Sequence, residues 1–386
     1  MKKVIYLDNN STTPLHPEAL KAMLLYYDEG YGNASSIHLK GRQAKKALEE
    51  SRGVIGDLLG TESVDIVFTS GGTESDNFAI KGVAFANRGK GNHIITSSVE
   101  HLAVLSTCKY LESQGFKVTF LSVDKYGVVD LGVLKDSITS KTILVTIMHS
   151  NNEVGTIQPI AEIARILKDK GIYFHTDAAQ SFGKIPLNVE ELGVDLLSIS
   201  AHKIYGPKGV GALYIRKGVK IDPFHHGGHH ERNFRAGTEN IPGIVGLAKA
   251  AEIARRNIKE ESERISNLRD MLHKGLTDKL DRVYLNGHPT NRLPGTLNLS
   301  FEGVEGESLL INFDTKGICA STGSACTAGS NEPSHVLMAM KVDPQLAQGS
   351  VRFSLGAFNT KEEISYCLEE IPKIVNRLRR ISPLSK

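Results

Sequence analysis

The chain has 386 residues, 40% of them hydrophobic, enough for a large core and more than an average domain holds. Its 46 basic and 43 acidic side chains leave a formal net charge of +3, and no basic run is interleaved with aromatics, which argues against direct binding of nucleic acid. No apolar stretch approaches the roughly 18 residues of a membrane span, and the four cysteines form no C-x-x-C pair and are too sparse for a disulfide framework, so the cytoplasm is the expected compartment.

The N-terminus enters a strand-like run, Val4-Ile5-Tyr6-Leu7, with no signal-peptide core. Short β-branched runs then alternate with amphipathic segments: 65–69, 93–96, 117–120, 142–147, 171–175, 195–199 and 211–215. This alternation predicts an α/β fold with a largely parallel sheet and helices on both faces. Ligand sites in such folds lie beyond the carboxyl ends of the strands, and the unusual polar residues fall there.

After the first run, Ser70-Gly71-Gly72-Thr73-Glu74 leads into a helix, so backbone N–H groups and the positive helix end converge on a spot suited to phosphate, with the Thr73 hydroxyl added. Glycine and threonine are also ordinary helix-start residues. His101 begins the helix after the 93–96 run, where it can stack on a flat cofactor or move protons, unless it is structural. Asn151 and Asn152 follow the 142–147 run as ligand contacts or turn residues.

His175-Thr176-Asp177-Ala178-Ala179-Gln180 places a carboxylate at a strand end, able to pair with a protonated pyridine nitrogen or to cap a helix. Gln180 is placed to reach a ring hydroxyl. Lys203 follows an apolar strand in Ser200-Ala201-His202-Lys203-Ile204-Tyr205-Gly206-Pro207, where a fixed amine can form a Schiff base with an aldehyde cofactor. Taken alone it reads as a solvated loop lysine.

Four histidines within residues 225–230 invite a metal reading, but the run lacks a carboxylate or cysteine in ligand register. Residues 242–280 read as one long charged helical segment leading into a smaller C-terminal domain. There Gly323-Ser324-Ala325-Cys326-Thr327-Ala328-Gly329 reads as a loop of small residues with an exposed thiol, whereas Cys108 and Cys367, and Cys319 beside Ile318, suit buried positions. Arg352, flanked by apolar strand residues, suits a carboxylate partner.

These pieces, together with Tyr6-Leu7-Asp8-Asn9-Asn10-Ser11-Thr12-Thr13, Asn151-Asn152-Glu153-Val154-Gly155 and Arg235-Ala236-Gly237-Thr238, resemble the cysteine desulfurases over nearly the whole chain. These are the NifS and IscS group of class-V, fold-type I pyridoxal-phosphate enzymes. The resemblance implies a seven-stranded, mostly parallel sheet in a large domain, 15–255, and a smaller α/β domain, 256–386, joined by residues 1–14.

It further implies that Lys203 carries pyridoxal 5'-phosphate, His101 stacks on the ring and moves protons, Asp177 meets the ring nitrogen and Gln180 the ring hydroxyl. Gly72, Thr73, Ser200 and His202 hold the phosphate, with Thr238 reaching across from the other subunit of a homodimer. Asn152 and Arg352 bind L-cysteine, the latter at its carboxylate. Cys326 accepts the sulfur, with an iron–sulfur scaffold or another acceptor protein as partner and transient ligation of a nascent cluster as its one metal role. The stretch Ile381-Ser382-Pro383-Leu384-Ser385-Lys386 is shorter than the tail that many members of the group use to engage a scaffold. A selenocysteine lyase or another fold-type I β-lyase would share Lys203 and Asp177, and a non-catalytic interaction protein would bind no cofactor.

Overall fold

The computed structural model describes residues 4–322 and 333–382. Among the described residues twelve strands run in chain order: β1 Ile5–Tyr6, β2 Ile66–Thr69, β3 His93–Ser97, β4 Lys117–Leu121, β5 Thr142–Thr146, β6 Tyr173–Asp177, β7 Leu196–Ser200, β8 Gly211–Ile215, β9 Val283–Asn286, β10 Thr296–Phe301, β11 Ile318–Cys319 and β12 Ser350–Ser354. The predicted runs 65–69 to 211–215 all become strands of one seven-stranded sheet, ordered β2-β8-β7-β6-β5-β3-β4. All pairs are parallel except those of β8, which runs antiparallel to both β2 and β7. Two apolar clusters fill the space between the sheet and its helices, as a sheet buried on both faces requires.

A smaller α/β unit follows, with the antiparallel sheet β12-β10-β9 and the pair β1-β11. Its own core includes Leu272, Phe301, Phe313 and Phe353 and also takes in Ile5 and Leu7 from the N-terminus. The predicted single helical segment 242–280 is two helices, Ile241–Arg256 and Ile258–Lys279. The break falls at Asn257 (φ −134°, ψ 27°), where the chain leaves the packing of the large sheet for that of the small core. Helical periodicity continues on both sides, so the pattern conceals the break.

One buried pair fixes the segment that carries the histidine run. Glu231, Arg232 and Asn233 all adopt positive φ (45°, 55° and 70°), strained for residues with a Cβ. The Glu231 carboxylate accepts two hydrogen bonds from the Arg52 guanidinium (2.6 and 2.7 Å) and one from the Phe68 amide (2.8 Å). Removing one partner of a buried pair strands the other's charge. Arg52→Leu is therefore expected to cost about 3–5 kcal/mol, read as a lowered urea midpoint of the large domain. Adding Glu231→Gln, which keeps an acceptor for Phe68, should recover more than half of the loss.

Within residues 225–230, His229 Nδ1 meets Asn233 Oδ1 at 2.6 Å and His230 Nδ1 accepts from the Gly237 amide. Among the described residues no group of three or more His, Cys, Asp or Glu is placed to hold a metal ion. No described helix is long and apolar enough to cross a membrane.

Candidate active site

The site collects at one edge of the large sheet, where β2, β6 and β7 end and β8 begins. Beyond β2, the 15-residue helix Gly72–Ala86 starts with no side chain capping it, so its first amides are left for a ligand. Gly71 sits at φ 149°, and β8 passes so close that a Cβ at Gly211 would lie 2.6 Å from the Gly71 Cα. Both positions therefore call for glycine. Ser200, at the end of β7, faces this turn: a Cβ on Gly71 would be 3.9 Å from its Oγ. Glu74 closes the turn by accepting from the Ser70 amide and pairing with Arg235 (each 2.8 Å).

His202 follows Ser200 and meets the Thr12 hydroxyl through Nδ1 (3.1 Å). Burial, reinforced by Lys203, Lys208 and Lys184, pushes its imidazole down to about 4, so it is neutral at physiological pH. Open helix amides, a serine hydroxyl and a neutral imidazole suit a phosphate group. Thr73 is exposed at the same helix start. Thr238 is also exposed, and no hydrogen bond among the described residues joins it to this cradle.

Asp177 ends β6 and is 7% exposed, with one oxygen accepting from the Ala179 amide (2.8 Å). That bond closes the turn after β6 rather than capping a helix, since the next helix begins only at Val189. Burial raises its pKa, whereas His101 and Lys203 pull it down. Two more acids lie near it. Glu100 is pushed up to about 8 by burial, although Ser97 and the Met148 amide bind it, and Asp76 is raised well above the usual range by burial and then by Asp177. One Asp76 oxygen has no hydrogen-bond partner and lies 3.7 Å from His175 Nε2. This acidic pocket is short of positive charge, and a protonated pyridine ring would supply it.

His101 caps the helix Leu102–Ser113, its Nδ1 accepting from the Ala103 amide (3.1 Å). That bond leaves the ring proton on Nε2 in the neutral form. Burial, Lys203 and His335 lower its pKa against the opposing pull of Asp177. Lys203 donates to the carbonyl oxygens of Asn10 (2.6 Å) and Ser11 (2.8 Å), and Gln180 Nε2 also donates to Asn10 O (2.9 Å). Gln180 is oriented by Lys184, whose amine donates to its Oε1 (3.1 Å) and whose pKa burial pushes down to about 7.

Arg352, 3% exposed on β12, donates to Asp8 (2.9 Å), Ser11 Oγ (2.8 Å) and Asn152 O (3.0 Å), while its Nε is buried without a partner. The carboxylate partner that its sequence context calls for exists within the chain, as Asp8. Asn152 enters this network through its carbonyl, which also accepts from Asn10 Nδ2 (3.2 Å). Its neighbour Asn151 is a turn residue, accepting from the amides of Glu153 and Val154.

Lys203, His101, Asp177, Gln180, Ser200, His202, Gly72, Asn152 and Arg352 thus share one edge. Cys326 lies outside the described residues. The described residues that flank 323–332 in the sequence are tied to the site. Ser321 exchanges two main-chain hydrogen bonds with Arg352, Ser334 donates to the Glu153 carboxylate, and His335 Nε2 meets Glu100 O (3.0 Å). Sequence reasoning missed Lys184, Glu100, Ser321, Ser334 and His335. Four-residue spacing between Gln180 and Lys184 was the one available signal.

The aminotransferase class-V family matches residues 5–367. A cysteine desulfurase IscS of Methanosarcina thermophila is 56% identical over 383 residues, spanning 99% of this chain and 95% of that protein. One from Clostridium botulinum strain Hall is 51% identical, spanning 100% and 97%. Among solved structures, a NifS-like protein superposes with a TM-score of 0.92 at 43% identity, covering 97% of this chain and all of the other. The structure described as SspA in complex with cysteine gives 0.82 at 37%, covering 93% of this chain and all of the other. With the pyridoxal-phosphate geometry of its sheet edge, this chain belongs to the class-V aminotransferase family and, within it, to the cysteine desulfurases of the NifS and IscS group.

Proposed function

We propose that the chain converts L-cysteine to L-alanine with Lys203 as the cofactor-bearing amine, His101 as the proton-transfer residue and Cys326 as the sulfur acceptor. Iron–sulfur cluster assembly is the principal destination of the sulfur, with transfer-RNA thiolation as a further outlet. The observation that carries the reading is the convergence of Lys203, Asp177, His101 and Arg352 on one buried edge. When bound, pyridoxal phosphate supplies an aldehyde that condenses with amines and a ring that draws electrons from the α-carbon.

Gly72, Thr73, Ser200 and His202 hold the phosphate, Asp177 balances the ring nitrogen, Gln180 donates to the ring hydroxyl, and Asn152 lines the substrate side. Arg352 takes the substrate carboxylate, its orientation fixed by Asp8 and Ser11. Lys203 or His101 moves the α-proton. The Cys326 thiolate then attacks the substrate sulfur: a sulfur–sulfur bond forms as the Cβ–S bond breaks. The carbon skeleton keeps the electron pair and is reprotonated to alanine.

Thr238, exposed here, serves the phosphate of a second copy, so the working form is a homodimer. Free thiols at Cys108, Cys319 and Cys367 suit a cytoplasmic setting. The cofactor-binding domain comprises residues 15–255, and the domain bearing Cys326 comprises 256–386 joined by 1–14. Supporting that division, Ile5 and Leu7 pack in the second core.

The test is a yellow absorbance band together with an assay of alanine and sulfide from L-cysteine, the persulfide trapped and mapped by mass spectrometry. A colourless protein that cannot be reconstituted would overturn the reading, and alanine release from selenocysteine alone would favour a selenocysteine lyase. Arg352→Lys keeps the charge but loses the fork. It is expected to lower kcat/KM for L-cysteine by about a hundredfold, mainly through KM, in steady-state kinetics.

A further inference from the structure

A second cavity, of about 310 Å³, lies where the large sheet unit, the small unit and the N-terminal segment meet, and the desulfuration chemistry does not use it. Its walls are largely aliphatic, with Ile253, Ile258, Ile265 and Leu355 among them, and it includes the junction between helices Ile241–Arg256 and Ile258–Lys279. Lys184 lines it. Among the described residues the acceptors of the Lys184 amine are two neutral amide oxygens, Asn10 Oδ1 (3.3 Å) and Gln180 Oε1 (3.1 Å), and the charged groups acting on it are the cations Lys203 and Arg352. Glu261, an acid on the same wall, is already taken by Arg264 in two hydrogen bonds (2.8 and 2.6 Å). Lys184 therefore lines the cavity with no carboxylate on its amine among the described residues, and two hydrogen bonds leave one of the three N–H donors of its ammonium form unspent.

A cavity of this volume accepts a small molecule, and its chemistry selects the kind. Aliphatic walls demand a hydrocarbon body, the uncompensated amine demands an anion, and Lys184, the one lysine or arginine among the described lining residues, favours one negative charge over two. We propose that this cavity is a binding site for a small amphipathic monocarboxylate, its carboxylate on the Lys184 ammonium and its hydrocarbon chain against Ile253, Ile258 and Ile265. Asn10 links the two sites, since its side chain holds Lys184 while its carbonyl oxygen holds Lys203 and Gln180. A ligand that draws Lys184 away alters the support of the cofactor lysine and, lodged between the two units, stiffens their junction.

The assignment does not depend on the desulfurase roles given above and is tested by calorimetric titration of the purified holoenzyme with hexanoate, hexanol and hexylamine. Hexanoate is expected to bind about tenfold to a hundredfold more tightly than hexanol, and hexylamine more weakly than either. Lys184→Met should reduce hexanoate to the level of hexanol. Ile253→Trp, a change at a half-buried wall position away from the amine, should abolish binding of hexanoate and hexanol while the yellow band persists. Hexanoate binding no tighter than hexanol, or unchanged in either variant, would place the anion elsewhere, such as on Arg352, and overturn the assignment. Absence of heat from all three ligands at millimolar concentration would do the same.

Discussion

Lys203→Ala is expected to lower alanine formation from L-cysteine about a thousandfold or more, and to remove the covalent adduct that borohydride traps between the chain and pyridoxal phosphate. Nothing else at the site can take over. Lys184 is another amine near the site, but it is held by Asn10 and Gln180. Alanine at 203 also leaves the Ser11 carbonyl without its donor, and Asn10 O retains only Gln180. Part of the loss in Lys203→Ala would therefore come from loosening of the N-terminal segment rather than from chemistry. Lys203→Arg separates the two, because its guanidinium can still serve both carbonyls but does not condense with an aldehyde. The arginine variant is expected to bind the phosphate end of the cofactor yet show no trapped adduct and the same loss of turnover. Retention of more than a few per cent of activity in Lys203→Arg would remove this lysine from the reaction.

How much of this was legible from the sequence depends on whether a residue's role is set locally. The strands of the large sheet were, because β-branched runs ending in polar residues leave few alternatives, and Asp177 and Ser200 are at the ends where those runs stop. The antiparallel course of β8 was legible in principle. Ten residues between Ser200 and Gly211 leave no room for the crossover helix that a parallel partner requires. Residues 211–215 by themselves read the same in either direction, and the expectation of a largely parallel sheet passed over it. Roles created by distant contacts were not legible. Lys184 is an ordinary lysine until Asn10, far away in the chain, folds over it, and the carboxylate that meets Arg352 belongs to Asp8, 344 positions earlier. The strained turn at Glu231 likewise makes sense only once Arg52 and the Phe68 amide are beside it.

Cys326→Ala should abolish persulfide and sulfide formation from L-cysteine, a loss of about a thousandfold or more, while the yellow band and the borohydride adduct at Lys203 persist. Two physical arguments single out this thiol. Sulfur transfer needs a thiolate, and the cysteines among the described residues are poorly disposed to form one. Burial pushes Cys108 and Cys367 up to about 12, and it raises Cys319 as well, with Asp314 and Asp8 adding to the effect. Chain connectivity supplies the second argument. Ser321, five positions before Cys326 in the sequence, is hydrogen-bonded to the main chain of Arg352. The chain leading to Cys326 is thus tied to the residue proposed to take the substrate carboxylate. Cys319→Ala, altering a half-buried thiol on β11, should leave sulfur transfer within about twofold of the parent, since most exposed or half-buried substitutions away from a site change little. Persulfide mapped to Cys319 in the native protein, or surviving in Cys326→Ala, would move the acceptor role off the loop.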